Sequence, residues 1–288
     1  MESRTISVLG LRTRVLVDGA RAEGDAVVAI HGVGGWAENW SAVTGPLAAT
    51  GRPVVALDLP GFGESERPRR VRYFAPEDAF YPRFVLAVMD ELGLARAHVI
   101  GNSMGGTIAA MVALTAPERV RSVVFAPGGG LGLEVAWTLR ACSLPGMTLF
   151  ARLPFPRSAV HASVQSLFYD LSRIPSSMYE ESERYCLRSF PEFVRAMAAG
   201  LDLRGIRPAL RDAWLARIGS YAGPMLVVWG REDRVIPVDQ VRVLRTLLPR
   251  AEVRIIDRCG HLPMIECPDE FLAAVVPFIE RAERAVAA

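Results

Sequence analysis

The chain has 288 residues, 51% of them hydrophobic, and its 33 basic and 31 acidic side chains give a net charge of +2. This length and composition are enough for one large domain, or for one domain with an insertion, around a full core. The near balance of charge gives no case for a nucleic-acid partner. Every basic side chain is an arginine, which excludes a Schiff-base lysine, a P-loop lysine and a Ser-Lys dyad.

The cysteine pattern and the apolar runs indicate which redox, metal and membrane functions the chain lacks support for. Four cysteines stand at positions 142, 186, 259 and 267 and form no C-x-x-C pair, so zinc binding and thioredoxin-like chemistry have no support. We predict no bound metal and no cofactor. The N-terminus lacks the apolar core of a signal peptide, and no apolar run reaches the roughly 18 residues of a membrane span. We predict a cytoplasmic protein without nucleic-acid or membrane partners. Its oligomeric state stays open, with a dimer as one option.

Strand and helix patterns alternate along most of the chain. Short apolar runs predict buried strands, and longer segments with helical periodicity predict helices. In chain order we predict two strands within 6–17, a strand at 26–30, a helix at 36–49, a strand at 53–57, a helix at 79–92, a strand at 97–100, a helix at 104–116, strands at 120–126 and 225–229, a helix at 238–248, a strand at 251–256 and a helix at 268–285. The alternation predicts an α/β fold with a mostly parallel sheet and helices on both faces.

Residues 128–222 interrupt this alternation. The segment opens with three glycines and then carries recurring prolines among aromatic and methionine side chains. It contains no strong pattern for a buried strand, so we predict short helices that form a cap. The core would then comprise residues 1–127 and 223–288. A cap inserted at this point would cover the carboxyl ends of the strands, where ligands bind in open α/β sheets.

The segment Gly-Asn-Ser-Met-Gly-Gly, residues 101–106, joins a predicted strand to a predicted helix. A G-x-S-x-G sequence at such a junction is typical of a nucleophile elbow. Gly101 and Gly105 lack a Cβ, so the chain can turn sharply and the helix can start close to the strand. Ser103 would lie at the tip of this turn, where the helix N-terminus stabilises developing negative charge. We therefore predict that Ser103 is a nucleophile.

A serine nucleophile needs a base, and the chain has four histidines from which to choose it. We predict His261, because it follows the last strand and so lies at the sheet edge that carries the elbow. The carboxylate that orients this histidine is predicted to be Asp233, which gives the chain order Ser, Asp, His. Glu232 and Asp257 are the alternatives. A simple role for the Glu232 and Asp233 pair in a turn or helix cap also stays open.

An oxyanion hole needs backbone N–H donors close to the nucleophile. We predict one donor at Met104, the residue after the serine. The other is predicted in the loop after the first central strand, at Val33, with Gly34 as the second choice. Gly32 and Gly34 would let the backbone of this loop approach the substrate. His31, at the start of the loop, is predicted to brace it.

Five motifs make the chain resemble the α/β-hydrolase superfamily, in the order and spacing of that superfamily. They are HGVGG from residue 31, DLPGFGES from 58, GNSMGG from 101, GREDRVIP from 230 and GHLPMIE from 260. The resemblance implies an α/β-hydrolase core with a Ser-His-Asp triad, an oxyanion hole and a cap that varies among members.

The stretch from Val99 to Val120 resembles the meta-cleavage product hydrolases, which split carbon–carbon bonds of vinylogous keto acids. In that group an Asn precedes the serine, as Asn102 does here, and a cap arginine binds the substrate carboxylate. Arg184 is our candidate for that arginine, with an ion pair to Glu180 on a solvated helix face as the alternative. That group has a Trp after the catalytic histidine. Here Leu262 takes that place, and His-Leu-Pro-Met-Ile-Glu resembles carboxylesterases instead. We predict that Asn102 and Leu262 also contact the substrate.

These observations predict a cofactor-independent serine hydrolase for esters of small to medium hydrophobic acids, because apolar cap residues would line the pocket. Carbon–carbon bond hydrolysis by the same triad is the first alternative. Acyl transfer, perhydrolysis and a slow-turnover ligand receptor are further alternatives, since a fold does not choose among them.

Overall fold

The computed structural model describes residues 1–19, 25–69, 73–74, 79–151 and 156–287, with the side chains of 285–287 excepted. Ten strands lie in this part of the chain: β1 (Glu2–Val8), β2 (Leu11–Asp18), β3 (Ala26–Ile30), β4 (Val54–Leu57), β5 (Ala97–Ser103), β6 (Val120–Gly128), β7 (Leu201–Asp202), β8 (Gly205–Ile206), β9 (Met225–Gly230) and β10 (Glu252–Ile256).

Eight of these strands form one sheet in the order β1-β2-β4-β3-β5-β6-β9-β10. The first three strands in this order pair antiparallel. All later neighbours pair parallel. The remaining two strands, β7 and β8, form a separate small hairpin. The carboxyl ends of β3, β5, β6, β9 and β10 therefore meet at one edge of the sheet.

Helices flank the sheet and fill the gap between β6 and β9. They are α1 (Ser41–Ala48), α2 (Phe80–Glu91), α3 (Met104–Thr115), α4 (Trp137–Ala141), α5 (Met147–Phe150), α6 (Arg157–Gln165), α7 (Ser176–Gly200), α8 (Pro208–Ile218), α9 (Val241–Leu247), α10 (Pro263–Glu266) and α11 (Pro268–Ala287). We call residues 129–224, which contain α4 to α8 and the small hairpin, the insertion.

The core has two layers, one on each face of the sheet. Side chains alternate between the faces of a strand, so Val28 and Ile30 of β3 pack with α2 and α3. Val27 and Ala29 of the same strand pack with α1 and α11 on the other face. The fully buried sequence of β3 is what a central strand covered on both sides requires.

The predicted fold class is confirmed, since a mostly parallel sheet lies between two layers of helices. Two local expectations differ from the structure. The insertion was expected to hold only short helices, but α7 runs for 25 residues and continues through Pro191. An interior proline removes one helical N–H and its ring crowds the preceding turn. Contacts of α7 with α4, α5 and α6 provide tertiary packing that favours the continuous helix. The strand predicted at 97–100 also extends further, to Ser103.

In the part of the chain that the structure describes, no helix combines the length and the apolar character that crossing a membrane requires.

Candidate active site

Ser103 lies at a strained turn between β5 and α3. Its φ of 56° and ψ of −124° place it in a region that non-glycine residues rarely adopt. The strand ends at this residue and the helix starts at the next one, so the side chain lies at the tip of a tight corner. Ser103 is 8% exposed and faces the cavity described below. The first N–H groups of α3 have no intrahelical acceptor, so they add positive potential here.

The two glycines of the elbow are required by close backbone packing. A Cβ on Gly101 would lie 2.0 Å from the carbonyl oxygen of Gly105. A Cβ on Gly105 would lie 2.2 Å from the carbonyl oxygen of Ile30. Neither neighbour is a side chain that could move aside, so any larger residue would push α3 away from the sheet. The helix can therefore start directly behind the serine only because these positions are glycine.

His261 and Asp233 meet at the carboxyl edge of the sheet. Nδ1 of His261 lies 2.8 Å from Oδ2 of Asp233, and both side chains are buried. The other carboxylate oxygen, Oδ1, accepts hydrogen bonds from the backbone N–H groups of Val235 and Ile236, at 2.8 and 2.9 Å. These bonds fix the carboxylate, so that Nδ1–H of the histidine donates to Oδ2 and leaves Nε2 as the basic nitrogen.

The two alternative carboxylates are engaged elsewhere. Oε2 of Glu232 accepts a hydrogen bond from the backbone N–H of Cys259 at 3.0 Å. Asp257 is 71% exposed and forms an ion pair with Arg231. Of the three candidates, only Asp233 forms a hydrogen bond with the His261 ring.

The loop after β3 lies directly against the elbow. The N–H of Gly35 donates to the carbonyl oxygen of Gly32 at 3.0 Å, and Gly34 has a φ of 76°. This is the geometry of a type II turn, which favours glycine at its third position. A Cβ on Gly32 would lie 2.9 Å from the Cβ of Ser103. Val33 and Met104, the predicted oxyanion donors, both line the cavity that contains Ser103.

The ring of His31 holds this loop through hydrogen bonds with backbone groups. Its Nδ1 lies 2.6 Å from the carbonyl oxygen of Gly32, and its Nε2 accepts the backbone N–H of Leu59 at 3.0 Å. Complete burial lowers the pKa of His31 from 6.5 to about 4. The ring is therefore neutral at physiological pH, with the proton on Nδ1, and both its nitrogens are used in holding backbone.

Asn102 connects the elbow to the loop that carries the histidine. Its Nδ2 donates to the backbone carbonyl oxygen of His261 at 3.0 Å. Glu266 of α10 holds the same loop from the other side, because its Oε2 accepts the N–H of Gly260 at 2.7 Å. Its Oε1 accepts N–H groups of Tyr169 and Asp170 in the insertion. Asn102 was predicted as a substrate contact, but in the structure its amide holds protein backbone.

Ser103 faces a cavity of about 140 Å³ between the sheet edge and the insertion. Its walls are mainly aliphatic, aromatic and methionine side chains. The described lining residues are Val33, Phe74, Ser103, Met104, Thr107, Met111, Gly129, Gly130, Val135, Leu139, Met197, Gly200, Leu201, Ile206, Leu210, Arg211, Ala213, Trp214, Arg217 and Ile236.

None of the five predicted substrate contacts belongs to the described lining of the cavity. The side chain of Arg184 is 69% exposed, and its Nη2 lies 2.6 Å from Oε1 of Glu64 in an ion pair. This placement of Arg184 differs both from the predicted contact with a substrate carboxylate and from the alternative ion pair with Glu180. Leu262 is buried in the core layer that contains α1 and α11. Gly34 faces α7 instead, since a Cβ there would lie 3.0 Å from the Phe193 ring.

Three residues with a place at the site were not predicted from the sequence. Glu266 belongs to the quoted GHLPMIE motif, and its position five residues after the histidine is the signal that could have indicated a role. Arg211 and Trp214 of α8 reach the cavity only because the insertion folds back over the sheet edge, and no local pattern marks them.

Comparison with known proteins identifies the family of the chain. The family model for the alpha/beta hydrolase fold matches residues 25–268. The chain therefore belongs to the α/β-hydrolase family, and it is a hydrolase of that fold.

Individual relatives differ in chemistry. The 2-hydroxymuconate semialdehyde hydrolase of Pseudomonas sp. strain CF600 is 31% identical over 299 positions, which cover 98% of this chain and 95% of that protein. A crystallised variant of the meta-cleavage product hydrolase of Pseudomonas fluorescens IP01 is 26% identical, with a TM-score of 0.75 over 97% of this chain and 98% of the other. A membrane phospholipase A, described as a bacterial virulence factor, is 28% identical, with a TM-score of 0.80 over 98% of this chain and 86% of the other.

Proposed function

We propose that this protein is a serine hydrolase that cleaves esters of small to medium hydrophobic acids through an acyl-enzyme. The observation that carries the proposal is the apolar cavity that Ser103 faces, because its lining would hold a hydrophobic acyl chain. The residues proposed for the chemistry are Ser103, His261 and Asp233, with the backbone amides of Met104 and Val33 as oxyanion donors.

The proposed reaction has two halves. Nε2 of His261 removes the proton of the Ser103 hydroxyl as its oxygen attacks the ester carbonyl. Asp233 stabilises the imidazolium through the bond at Nδ1. The amides of Met104 and Val33 would bind the oxyanion, and the histidine returns its proton to the leaving alcohol. Water then attacks the acyl-enzyme with His261 again as the base, which releases the acid and restores the serine.

We also propose that residues 128–222 act as a cap over the site. Side chains from this segment, among them Leu139, Met197, Leu201 and Trp214, form walls of the cavity in front of Ser103. The composition of this segment would then set which acyl chains fit, while the sheet edge supplies the chemistry.

The test is hydrolysis of p-nitrophenyl esters from acetyl to decanoyl, with Ser103→Ala measured alongside. We expect a clear optimum in acyl length, with kcat/KM at or above roughly 10⁴ M⁻¹s⁻¹, and loss of nearly all turnover in Ser103→Ala. Ser166→Ala is the matched control, because that residue is exposed and its hydroxyl donates to the local carbonyl oxygen of Ser163. Full turnover in Ser103→Ala would rule out the mechanism.

Hydrolysis of a carbon–carbon bond in a vinylogous keto acid is the second candidate. The two hydrolases named above, from Pseudomonas sp. CF600 and P. fluorescens IP01, support this candidate better than they support an esterase. Such a substrate carries a carboxylate, and the arginine expected to bind it, Arg184, is paired with Glu64 at the surface. The observation that supports the ester is the mainly apolar lining of the cavity.

One comparison separates the two candidates. A conjugated keto acid of the meta-cleavage type is supplied to the wild-type protein, and the loss of its visible absorbance is followed. If kcat/KM for this compound exceeds that of the best ester by more than tenfold, the carbon–carbon bond is the substrate. If Arg184→Ala then leaves that rate unchanged, the carboxylate is bound by another group.

A further inference from the structure

The loop that follows β3 is held from two sides. We call its residues 32–35 the glycine loop; it carries Val33, one of the two proposed oxyanion donors. On the side of the core, the ring of His31 donates to the carbonyl oxygen of Gly32 at 2.6 Å. On the other side, the loop meets α7 of the insertion, a helix that is distant from it in the chain. The insertion therefore contacts the backbone that carries a proposed oxyanion donor, as well as the cavity.

Trp36 anchors the end of the glycine loop to α7. It directly follows Gly35, it is 2% exposed, and its indole Nε1 donates to Oε2 of Glu181 at 2.9 Å. Its ring centroid lies 5.5 Å from that of Tyr185. Glu181 and Tyr185 are four residues apart on α7, a spacing that places them on the same face of the helix. A buried indole N–H needs an acceptor, and for Trp36 this acceptor comes from the insertion.

The middle of the glycine loop also contacts α7. A Cβ on Gly34 would lie 3.0 Å from Cδ2 of Phe193, so the ring packs directly against the backbone of this glycine. The Phe193 ring is itself stacked on Phe190, with centroids 6.1 Å apart and planes 17° apart. The Sγ of Cys186 lies 4.0 Å from the carbonyl oxygen of Gly34. Movement of Gly34 toward the insertion would therefore require the Phe193 ring to move as well.

The position of the glycine loop decides whether its amides can bind an oxyanion. Oxyanion donors act at about 2.7–3.1 Å from the oxygen. A displacement of about 1 Å in a catalytic group can cost on the order of a hundredfold in rate. Three of the four residues of this loop are glycines, so the loop has little side-chain packing of its own. Contacts from outside the loop have to fix it in place.

We propose that α7 positions the oxyanion hole of this protein. Glu181 acts through the Trp36 indole. Phe193 acts through its contact with Gly34. Together these contacts keep the glycine loop where the Val33 amide can bind the oxyanion, so Glu181 and Phe193 are positioning residues that do not touch the substrate. This inference rests on the proposed function, because it takes Val33 as an oxyanion donor.

The first experiment measures kcat and KM separately in two variants of Glu181. Glu181→Leu removes the acceptor of the indole N–H, whereas Glu181→Gln keeps an acceptor oxygen. With the best p-nitrophenyl ester, we expect Glu181→Leu to lower kcat by about tenfold and to change KM by less than about twofold, because an oxyanion forms only on the way to the acyl-enzyme. Glu181→Gln should keep most of the wild-type kcat. Equal kcat values in the two variants, or an effect on KM alone, would overturn the role of Glu181.

Glu183→Leu is the matched control. Glu183 lies on the same helix, but it pairs with Arg157 and His161 inside the insertion, so its loss should leave kcat unchanged. Phe193→Ala tests the second contact and is expected to lower kcat by about tenfold. Phe193→Leu, which keeps an apolar side chain beside the loop, should lose less. If Glu183→Leu is as damaging as Glu181→Leu, the effect belongs to the insertion as a whole, and the inference is wrong.

Labelling with an alkyl fluorophosphonate separates this inference from the proposed substrate. The Ser103 oxygen attacks phosphorus, the P–F bond breaks, fluoride leaves, and the serine proton passes to His261, while the phosphoryl oxygen takes the place of the oxyanion. Labelling rates are compared at equal folded fractions, determined by circular dichroism. Rates lowered about tenfold in Glu181→Leu and Phe193→Ala, with Glu183→Leu unchanged, support the inference even if no ester is hydrolysed. Wild-type rates in both variants overturn it even if esters are good substrates.

Discussion

The sheet edge and the insertion satisfy their polar groups very differently. At the sheet edge, the side chains of His31, Asn102, Asp233 and Glu266 all form hydrogen bonds with backbone. In the described residues, eight buried polar side-chain atoms lack a hydrogen-bond partner, and six of them lie between Arg140 and Trp214 in the insertion. Nine of the eleven exposed large hydrophobic side chains of the described part lie in the insertion, residues 129–224.

This difference agrees with the two roles proposed above, catalysis for the sheet edge and a cap for the insertion. Groups that position a nucleophile must be held rigidly, and full hydrogen bonding provides this. Unpaired donors and open apolar surface cost stability, so they indicate a region whose partners come from outside the fold. The contrast can be tested with pairs of matched variants.

The largest effect is expected at Gly105. The Cβ of Gly105→Ala would press on the backbone carbonyl oxygens of Ile30 and His31, at 2.2 and 2.5 Å. We expect a loss of roughly 4–5 kcal/mol or more in the free energy of unfolding, measured by urea denaturation. In the insertion, Gly219 has helical angles and a Cβ would meet no atom closer than 3.4 Å. Gly219→Ala is therefore expected to change stability by less than about 1 kcal/mol. If Gly105→Ala and Gly219→Ala lowered the free energy of unfolding equally, the elbow would not be more tightly packed than the insertion.

Asp233→Asn tests whether the rigid edge serves catalysis. An amide at this position no longer holds the His261 tautomer with the proton on Nδ1, so we expect kcat to fall by about 10⁴-fold with little change in stability. Glu232→Gln is the control, because Glu232 only accepts the Cys259 N–H. Its loss should be on the order of tenfold or less. If Glu232→Gln proves the more damaging variant, Glu232 is the orienting acid.

A third pair tests how the two regions are joined. Arg14 of β2 is buried, and its Nη1 lies 3.3 Å from Oδ2 of Asp58 and 3.2 Å from the hydroxyl of Tyr185 in the insertion. Removing it leaves a buried carboxylate unpaired, so Arg14→Leu should lower the free energy of unfolding by roughly 3–5 kcal/mol.

Arg184→Leu is the matched control for Arg14→Leu. Both arginines lie over the Tyr185 ring and pair with an acid, but Arg184 is largely exposed. Its loss should cost less than about 1 kcal/mol. Thermal or urea unfolding of both variants measures the two losses. Equal losses in Arg14→Leu and Arg184→Leu would contradict the expectation that burial of the ion pair sets the cost of its removal.

The contrast also explains what the sequence could predict. The elbow, the loop after β3 and the loops of Asp233 and His261 depend on local geometry, and the glycines and chain order that this geometry requires are visible in the sequence. In the insertion, contacts form between residues far apart in the chain. Arg184 was predicted to bind substrate because it lies in the cap segment, yet its partner is Glu64, 120 positions earlier. Which face of α8 lines the cavity is likewise a tertiary property.

The smallest of the four effects concerns pH, and it again contrasts the two regions. His31 is buried at the sheet edge with its pKa lowered from 6.5 to about 4. Above about pH 6.5 the ring is neutral in both the folded and the unfolded chain, so it adds no pH dependence. As the pH falls from about 6.5 to about 4, the His31 ring binds a proton in the unfolded chain but not in the folded chain. The free energy of unfolding therefore falls by up to roughly 3 kcal/mol.

The measurement is urea denaturation across this pH range, in which the free energy of unfolding of His31→Gln should depend less on pH than that of the wild type. His161→Gln, in which the replaced ring is 39% exposed and bonded to Glu183 in the insertion, is measured alongside as the control for the substitution itself. Parallel profiles for His31→Gln and wild type would show that the buried ring does not govern acid stability.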